Sequence, residues 1–232
     1  MKKGLRALFL LVLILGLVAA GAASLWLGRG VKLAVERFGP GIVGAPVTVG
    51  AVVLAPFSGV GTITNLEIGN PPGFKGPYAL RVGSIEVKIK LATLARETVV
   101  VERVVIKEPR INYELGPGGS NLARLQKNAE GGKGKPAASQ GGKSLEIGLL
   151  SVTGGQVGLS AAALGSATVA LPDVRLSNLG GKGRSPADAA AEVLSAISGG
   201  AAKAVSNLGG KALETAASEV LGRLGGMLKG KK

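Results

Sequence analysis

Catalysis in proteins draws most often on histidine as proton shuttle, on cysteine or an activated hydroxyl as nucleophile, and on paired carboxylates as acid and base. This 232-residue chain has no His and no Cys, and its only Asp residues are Asp173 and Asp188. What remains is glutamate. Glu67, Glu86, Glu102, Glu108 and Glu114 are scattered along β-rich runs, and the sequence pairs no two of them as acid–base chemistry requires. Their expected place is the wet face of a sheet. Without His and Cys the soft metal ligands are missing too, so no catalytic residue, cofactor or metal site is expected. Gly142-Lys143-Ser144 has the ending of a phosphate-binding loop, yet Ala137 stands where that pattern needs glycine, and no strand precedes it. The GPGGS stretch from Gly116 to Ser120 and the repeated Gly-Gly-Lys tripeptides read as turns and linkers.

A formal charge of +14 raises the question of nucleic acid, since Lys and Arg supply phosphate contacts. Stacking groups are scarce: one Trp, two Tyr and four Phe, with Trp26 and Phe9 inside an apolar N-terminal segment. Anionic lipid headgroups, or plain solubility of a glycine-rich sheet, account for the charge better, and no nucleic-acid partner is expected.

The elements that must position any function begin with that segment. Ala7 to Leu27 carries no charge, and 21 residues rising ~1.5 Å each reach ~31 Å, the thickness of a bilayer core. Lys2, Lys3 and Arg6 precede it and favour a cytoplasmic N-terminus with the rest exported. The alternative is a signal peptide cleaved after Ala22, behind the small-residue site Ala20-Gly21-Ala22. Val31 to Phe38 predicts a short helix stopped by Gly39-Pro40. Val47–Ala55 and Val60–Ile68 predict a hairpin, Asn70 to Phe74 (NPPGF) a loop, and Ile85, Val87, Ile89 and Leu91 one apolar side of a strand whose other side is Glu86, Lys88 and Lys90. Two further strands, Val99 to Ile106 and Arg110 to Leu115, break at Pro109. A short helix from Leu122 to Asn128 leads into a linker without large apolar residues.

Shifting the chain by 46 positions places Val99, Val101, Val104, Ile106, Ile111 and Tyr113 over Leu145, Ile147, Leu150, Val152, Val157 and Leu159, and Glu108-Pro109 over Gly154-Gly155. A strand-corner-strand unit is therefore repeated. Ser185-Pro186 with Asp188 three residues on predicts a helix start, and two amphipathic helices are expected, the second from about Ala201 to Leu228.

The apolar N-terminal segment, the NPPGF loop, the Ile85–Leu91 strand, the Thr98–Leu122 run TVVVERVVIKEPRINYELGPGGSNL, and LPDVRLSNLG followed by SPADAAAEVL together resemble the AsmA-like family of bacterial envelope proteins, related to bridge-like lipid-transfer proteins. That resemblance implies a single-pass inner-membrane anchor, a body in the periplasm, a curved antiparallel sheet forming a hydrophobic groove for phospholipid, and a role in outer-membrane biogenesis. The expected class is α+β: an N-terminal transmembrane helix, a curved, mostly antiparallel, groove-like sheet and C-terminal amphipathic helices. The expected division is a signal-anchor over 1–29, a β region over 30–128, a Gly/Lys linker over 129–144, a continuation of the sheet over 145–184 and a helical segment over 185–232. The lipid-groove candidates are Ile85, Val87, Ile89, Leu91, Ile111, Tyr113, Ile147, Val157 and Leu159. The expected function is non-enzymatic binding or transfer of phospholipid at the membrane; the alternative is an assembly factor that contacts other envelope proteins without lipid.

Overall fold

The computed structural model describes residues 26–116, 118–131, 143–161 and 165–229. Helix α1 (26–43) leads into a meander of β1 (Val47–Ala55), β2 (Val60–Ile68) and β3 (Leu80–Ile89), closed by a 3-10 turn at Leu91–Thr93. Then come β4 (Thr98–Lys107), β5 (Arg110–Gly116), the two-residue β6 (Gly119–Ser120), α2 (Asn121–Gly131), β7 (Ser144–Thr153), β8 (Gln156–Ala161), β9 (Gly165–Ala170), β10 (Val174–Gly180) and α3 (Pro186–Lys229).

Register joins nine of these ten strands into six long ones, the two-residue β6 pairing only with the end of β5. Ser84↔Lys107 and Arg81↔Arg110 belong to one register, so β4 and β5 form a single strand along β3, bent at Glu108-Pro109. Gln156↔Ala170 and Val174↔Val152 likewise join β7 to β8 and β9 to β10. The sheet runs β1, β2, β3, β4–β5, β7–β8, β9–β10, and at ~4.8 Å per strand it is only about 24 Å wide. All neighbours are antiparallel except one: β4–β5 and β7–β8 are parallel, with Val99↔Leu145 and Ile111↔Val157. That offset is the 46 residues of the sequence repeat. A parallel pair needs a crossover, and the stretch after β5 containing α2 provides it.

The expected fold class is thus corrected. The structure is α+β with a mixed sheet and three helices, because the repeat unit returns in parallel rather than as another hairpin. Among the described residues no helix is long and apolar enough to cross a membrane; the expected transmembrane segment, Ala7 to Leu27, lies outside the described residues except for Trp26 and Leu27, and the cleavage site after Ala22 lies wholly outside them. One continuous α3 replaces the two expected C-terminal helices, passing through Gly199-Gly200 and Gly209-Gly210. At Gly200 the reason is visible, since a Cβ there would lie 3.2 Å from Leu171 on the sheet. Its start is as expected: the Asp188 carboxylate accepts from the Ser185 N–H and hydroxyl (2.8 Å each), and the Ser185 hydroxyl accepts from the Asp188 N–H (3.2 Å). The side chains of the expected stripe beyond Leu208 lie outside the described residues. Nor does α1 stop at Gly39-Pro40. Gly39 lets it lie against Val47, where a Cβ would be 3.2 Å away, and it ends at Gly44 in the left-handed region (φ 66°).

Inward positions advance by two along the strands except at two steps of three, one crossing three strands (Val101 to Val104, Ile147 to Leu150, Leu176 to Leu179) and one shared by all. Val49 to Val52, Ile63 to Leu66, Val82 to Ile85, Ile106 to Pro109, Val152 to Gly155 and Leu171 to Val174 mark the shared step across all six strands. Here the sheet is creased. Asn65 (φ 51°), Glu108 (φ 50°) and Gly154 (φ 66°) take left-handed backbones on this line, which rotates the chain by one position and keeps the same face inside. The two repeat copies share this conformation, Glu108 matching Gly154.

Candidate functional site

Eight of the nine groove candidates share one face and one apolar cluster. Ile111 faces Val157 and Tyr113 faces Leu159 across the parallel β5/β8 pair, all four buried, Val157 completely. Ile85 is buried beside the crease and Ile147, level with Ile89 across β4, is buried too, while Val87 and Ile89 are only half-buried. Leu91 is not on the strand at all. The chain turns into the 3-10 turn before it and leaves it exposed at the end of the sheet.

Two helices roof the buried part. Leu122, Leu125 and Ala129 of α2, and Ala189, Leu194, Ile197, Ala201 and Ala204 of α3, belong to the same cluster. The small Ala side chains let α3 lie close over the sheet, touching β10, β7, β8 and β9.

The roofed end is locked by a polar knot. The Asn121 amide donates to Asn70 Oδ1 (2.8 Å) and to the Asn112 carbonyl (2.7 Å), and its oxygen accepts from the N–H groups of Glu114 (3.1 Å) and Leu122 (2.9 Å). Asn121 has no exposed surface, so each of these bonds replaces water that cannot reach it. Asn70 donates onward to the Gly76 carbonyl (2.9 Å), and the Glu114 carboxylate accepts from the Lys75 and Gly76 N–H groups (2.8 and 2.7 Å). The NPPGF loop and the end of the Thr98–Leu122 run, two of the motifs behind the family resemblance, are therefore held against each other.

Toward the other end of the same face the roof thins. Ile63, Val87, Ile89 and Val104, on β2, β3 and β4, are half-buried and form a strip that leads toward Leu91. Ile63 and Val104 were not among the groove candidates. The step of three in their strands moves the inward phase from odd to even positions or the reverse, and that step is the signal by which the sequence could have given them.

Charged groups stay off this face. Arg81–Glu67 (2.6 Å) and Arg103–Glu86 (2.7 Å) pair on the polar side with partly exposed side chains, where such pairs contribute about 0–1 kcal/mol. A cleft of about 580 Å³ over the polar side of the crease is lined by Glu67, Arg81, Lys107, Glu108 and Arg110, among others. The carboxyl of Glu36 is held below the usual carboxylate range by the Lys32 ammonium (2.7 Å) and by the Val49 N–H (2.9 Å). Lys32 also donates to the Val49 carbonyl. Glu36 and Lys32 thus satisfy both outward backbone groups of Val49 on the edge strand β1. Among the described residues no three His, Cys, Asp or Glu side chains gather as a metal would need. Comparison of the chain with family models, with curated proteins and with solved structures found no match.

Proposed function

We propose that this is a non-enzymatic, membrane-attached protein of a bacterial envelope, with its body on the exported side of the inner membrane, that binds phospholipid by its acyl chains as part of outer-membrane biogenesis. The reading rests on the resemblance to AsmA-like proteins and on the uncharged stretch from Ala7 to Leu27. The observation that carries it is the half-covered strip Ile63, Val87, Ile89 and Val104, continuous with a fully apolar layer. A sheet about 24 Å wide is too narrow to bridge two membranes alone, so holding lipid near one membrane, or passing it to a partner, fits better than spanning.

Purification of the full chain in mild detergent, with lipid extraction and mass spectrometry, should recover bound phospholipid. Val87→Asp should abolish its retention by placing a charge among acyl chains, whereas Lys107→Asp, exposed on the other face of the sheet, should keep it. A lipid-free wild type, or equal behaviour of the two variants, overturns the reading. The assembly-factor reading is favoured by one feature: among the described residues no strand pairs with the outer edge of β9–β10, whereas that of β1 is engaged by α1 side chains. It predicts a stable protein partner in crosslinking and no lipid.

A further inference from the structure

We propose that the end of the sheet formed by the Pro56–Gly59 hairpin tip and the Leu91–Leu94 turn docks on an anionic bilayer surface, with Phe57 entering the headgroup region. The inference deepens the membrane reading above and rests on it. It names which part of the body meets the lipid.

Phe57 is 85% exposed at the tip of the β1–β2 hairpin, a position where a large aromatic side chain can bury against nothing in its own fold. Leu91 and Leu94 are exposed on the neighbouring turn. Tip and turn abut: the Ile89 N–H donates to the Gly59 carbonyl (2.8 Å), and a Cβ on Gly59 would stand 3.1 Å from Leu91. The three apolar side chains therefore form one prominence, supported on rigid strands.

What should cover it follows from two observations. The first is where the chain comes from. Helix α1 runs back along β1, with Gly39 beside Val47, Glu36 and Lys32 on Val49, and Gly28 against the Val52 carbonyl. Its first described residues, Trp26 and Leu27, are exposed at the hairpin end of the sheet and conclude the uncharged stretch that begins at Ala7. A membrane that holds that stretch is brought to this end. The second is charge. Lys88 donates to the Ser58 carbonyl and Lys143 to the Leu94 carbonyl, which fixes two ammonium groups at tip and turn; Lys90 and Arg96 flank them, with Glu97 the nearby acid. Exposed apolar side chains ringed by fixed cations match an anionic interface. At the opposite end of the sheet, away from Trp26 and Leu27, Leu115 is exposed on β5. Docking this way would also place the half-buried strip, which leads to Leu91, with its mouth at the lipid.

Since the chain has no Cys, single-cysteine labelling tests this directly. Full-length Phe57→Cys and Leu115→Cys, each carrying an environment-sensitive fluorophore, are incorporated into phosphatidylcholine vesicles with and without phosphatidylglycerol, after circular dichroism confirms wild-type folding. The Phe57 label should emit at shorter wavelength and be quenched several-fold more than the Leu115 label by a quencher carried on the lipid chains. The difference should shrink without phosphatidylglycerol and in the Lys88→Gln/Lys90→Gln background. If the chain floats with vesicles but both labels stay equally wet, the docking inference is wrong and membrane attachment stands. A Phe57 label shielded from water yet out of reach of the lipid quencher means a second copy or another protein covers the tip, and also overturns it. A chain that does not float with vesicles sinks both readings.

Discussion

At the β5/β8 end of the apolar layer, Asn121 ties loop, strand and helix together, and Ile111, Val157, Leu122 and Leu125 are sealed beneath. At the β2–β4 end no comparable knot is found among the described residues: Ile63, Val87 and Ile89 are half-covered, and Phe57, Leu91 and Leu94 project beyond them. The same strands build both ends. The difference shows that one face can be divided into a part that holds the fold and a part left for a ligand, by roofing some of its strands and leaving β2–β4 half-covered toward Leu91. Stability and lipid retention should then respond to different residues.

Truncating the sealed end should have the largest effect. Leu125→Ala removes a fully buried side chain between α2 and the sheet and should cost about 2–5 kcal/mol. Leu94→Ala at the open end should change stability by less than about 0.5 kcal/mol. Urea denaturation in mild detergent measures both, and similar losses would erase the distinction between the ends. Next comes the knot. Asn121→Ala strands the Glu114 N–H, the Asn112 carbonyl and Asn70 Oδ1 in part-buried surroundings, a loss on the order of 3 kcal/mol. Asn121→Asp keeps the two accepted bonds but sets an oxygen against Asn70 Oδ1 and the Asn112 carbonyl, so it should lose most of the same stability. If instead Asn121→Ala leaves stability intact and removes lipid, the sealed end is part of the binding site.

Which strands exist was readable in the sequence, because alternation and turn chemistry are local. Val47–Ala55 and Val60–Ile68 form the expected hairpin, and the Asp188 cap starts its helix at the expected place. The repeat went further than expected: its 46-residue offset is itself the register of the parallel pairing. The direction of that pairing was not readable, since apolar positions superpose equally well in a hairpin stack or a crossover. Local breaking signals misled twice, at Gly39-Pro40 and at Gly199-Gly200, where close contact with Val47 and Leu171 outweighs a helix-propensity cost of ~1 kcal/mol per glycine. Of the candidate site, the face was legible and the roof was not. Alternation says which side chains point together, but nothing in a strand records which of them a helix nearly a hundred residues later will cover.

The crease is common to both ends, so substitutions there should move stability and lipid retention together. Gly154→Ala places a Cβ on a left-handed backbone and against Glu108 (3.4 Å), which should cost about 1 kcal/mol. Glu108→Gly relieves the equivalent position in the other repeat copy and should gain up to about 1 kcal/mol. Thermal melts of both variants check the sign reversal; two losses would mean that the Glu108 side chain holds the crease rather than merely tolerating it.

The smallest effect concerns the edge beside the open end. Glu36 has its carboxyl held below the usual range by Lys32 and the Val49 N–H, so the folded state prefers it ionised. A group whose folded pKa is depressed stabilises the protein above its unfolded pKa, here about 4.5, and loses that contribution as pH falls through the lower folded value. The wild type should therefore lose a small increment of melting temperature on acidification below about pH 4.5 that Glu36→Gln lacks, while at neutral pH Glu36→Gln should lie slightly below the wild type, because Gln keeps an acceptor for the Val49 N–H but not the ion pair. Raising salt should narrow the neutral-pH gap by screening Lys32. The further consequence lies on β1. With Lys32 and Glu36 in place, the outward N–H and carbonyl of Val49 are both engaged, so this edge is closed to pairing with another strand. A Lys32→Ala/Glu36→Ala double variant should open it, and chains that then self-associate through β1 would be detected as crosslinks between cysteines placed at Thr48 in separate copies. If crosslinking does not rise above that of the Thr48→Cys parent, α1 itself, rather than these two side chains, blocks the edge.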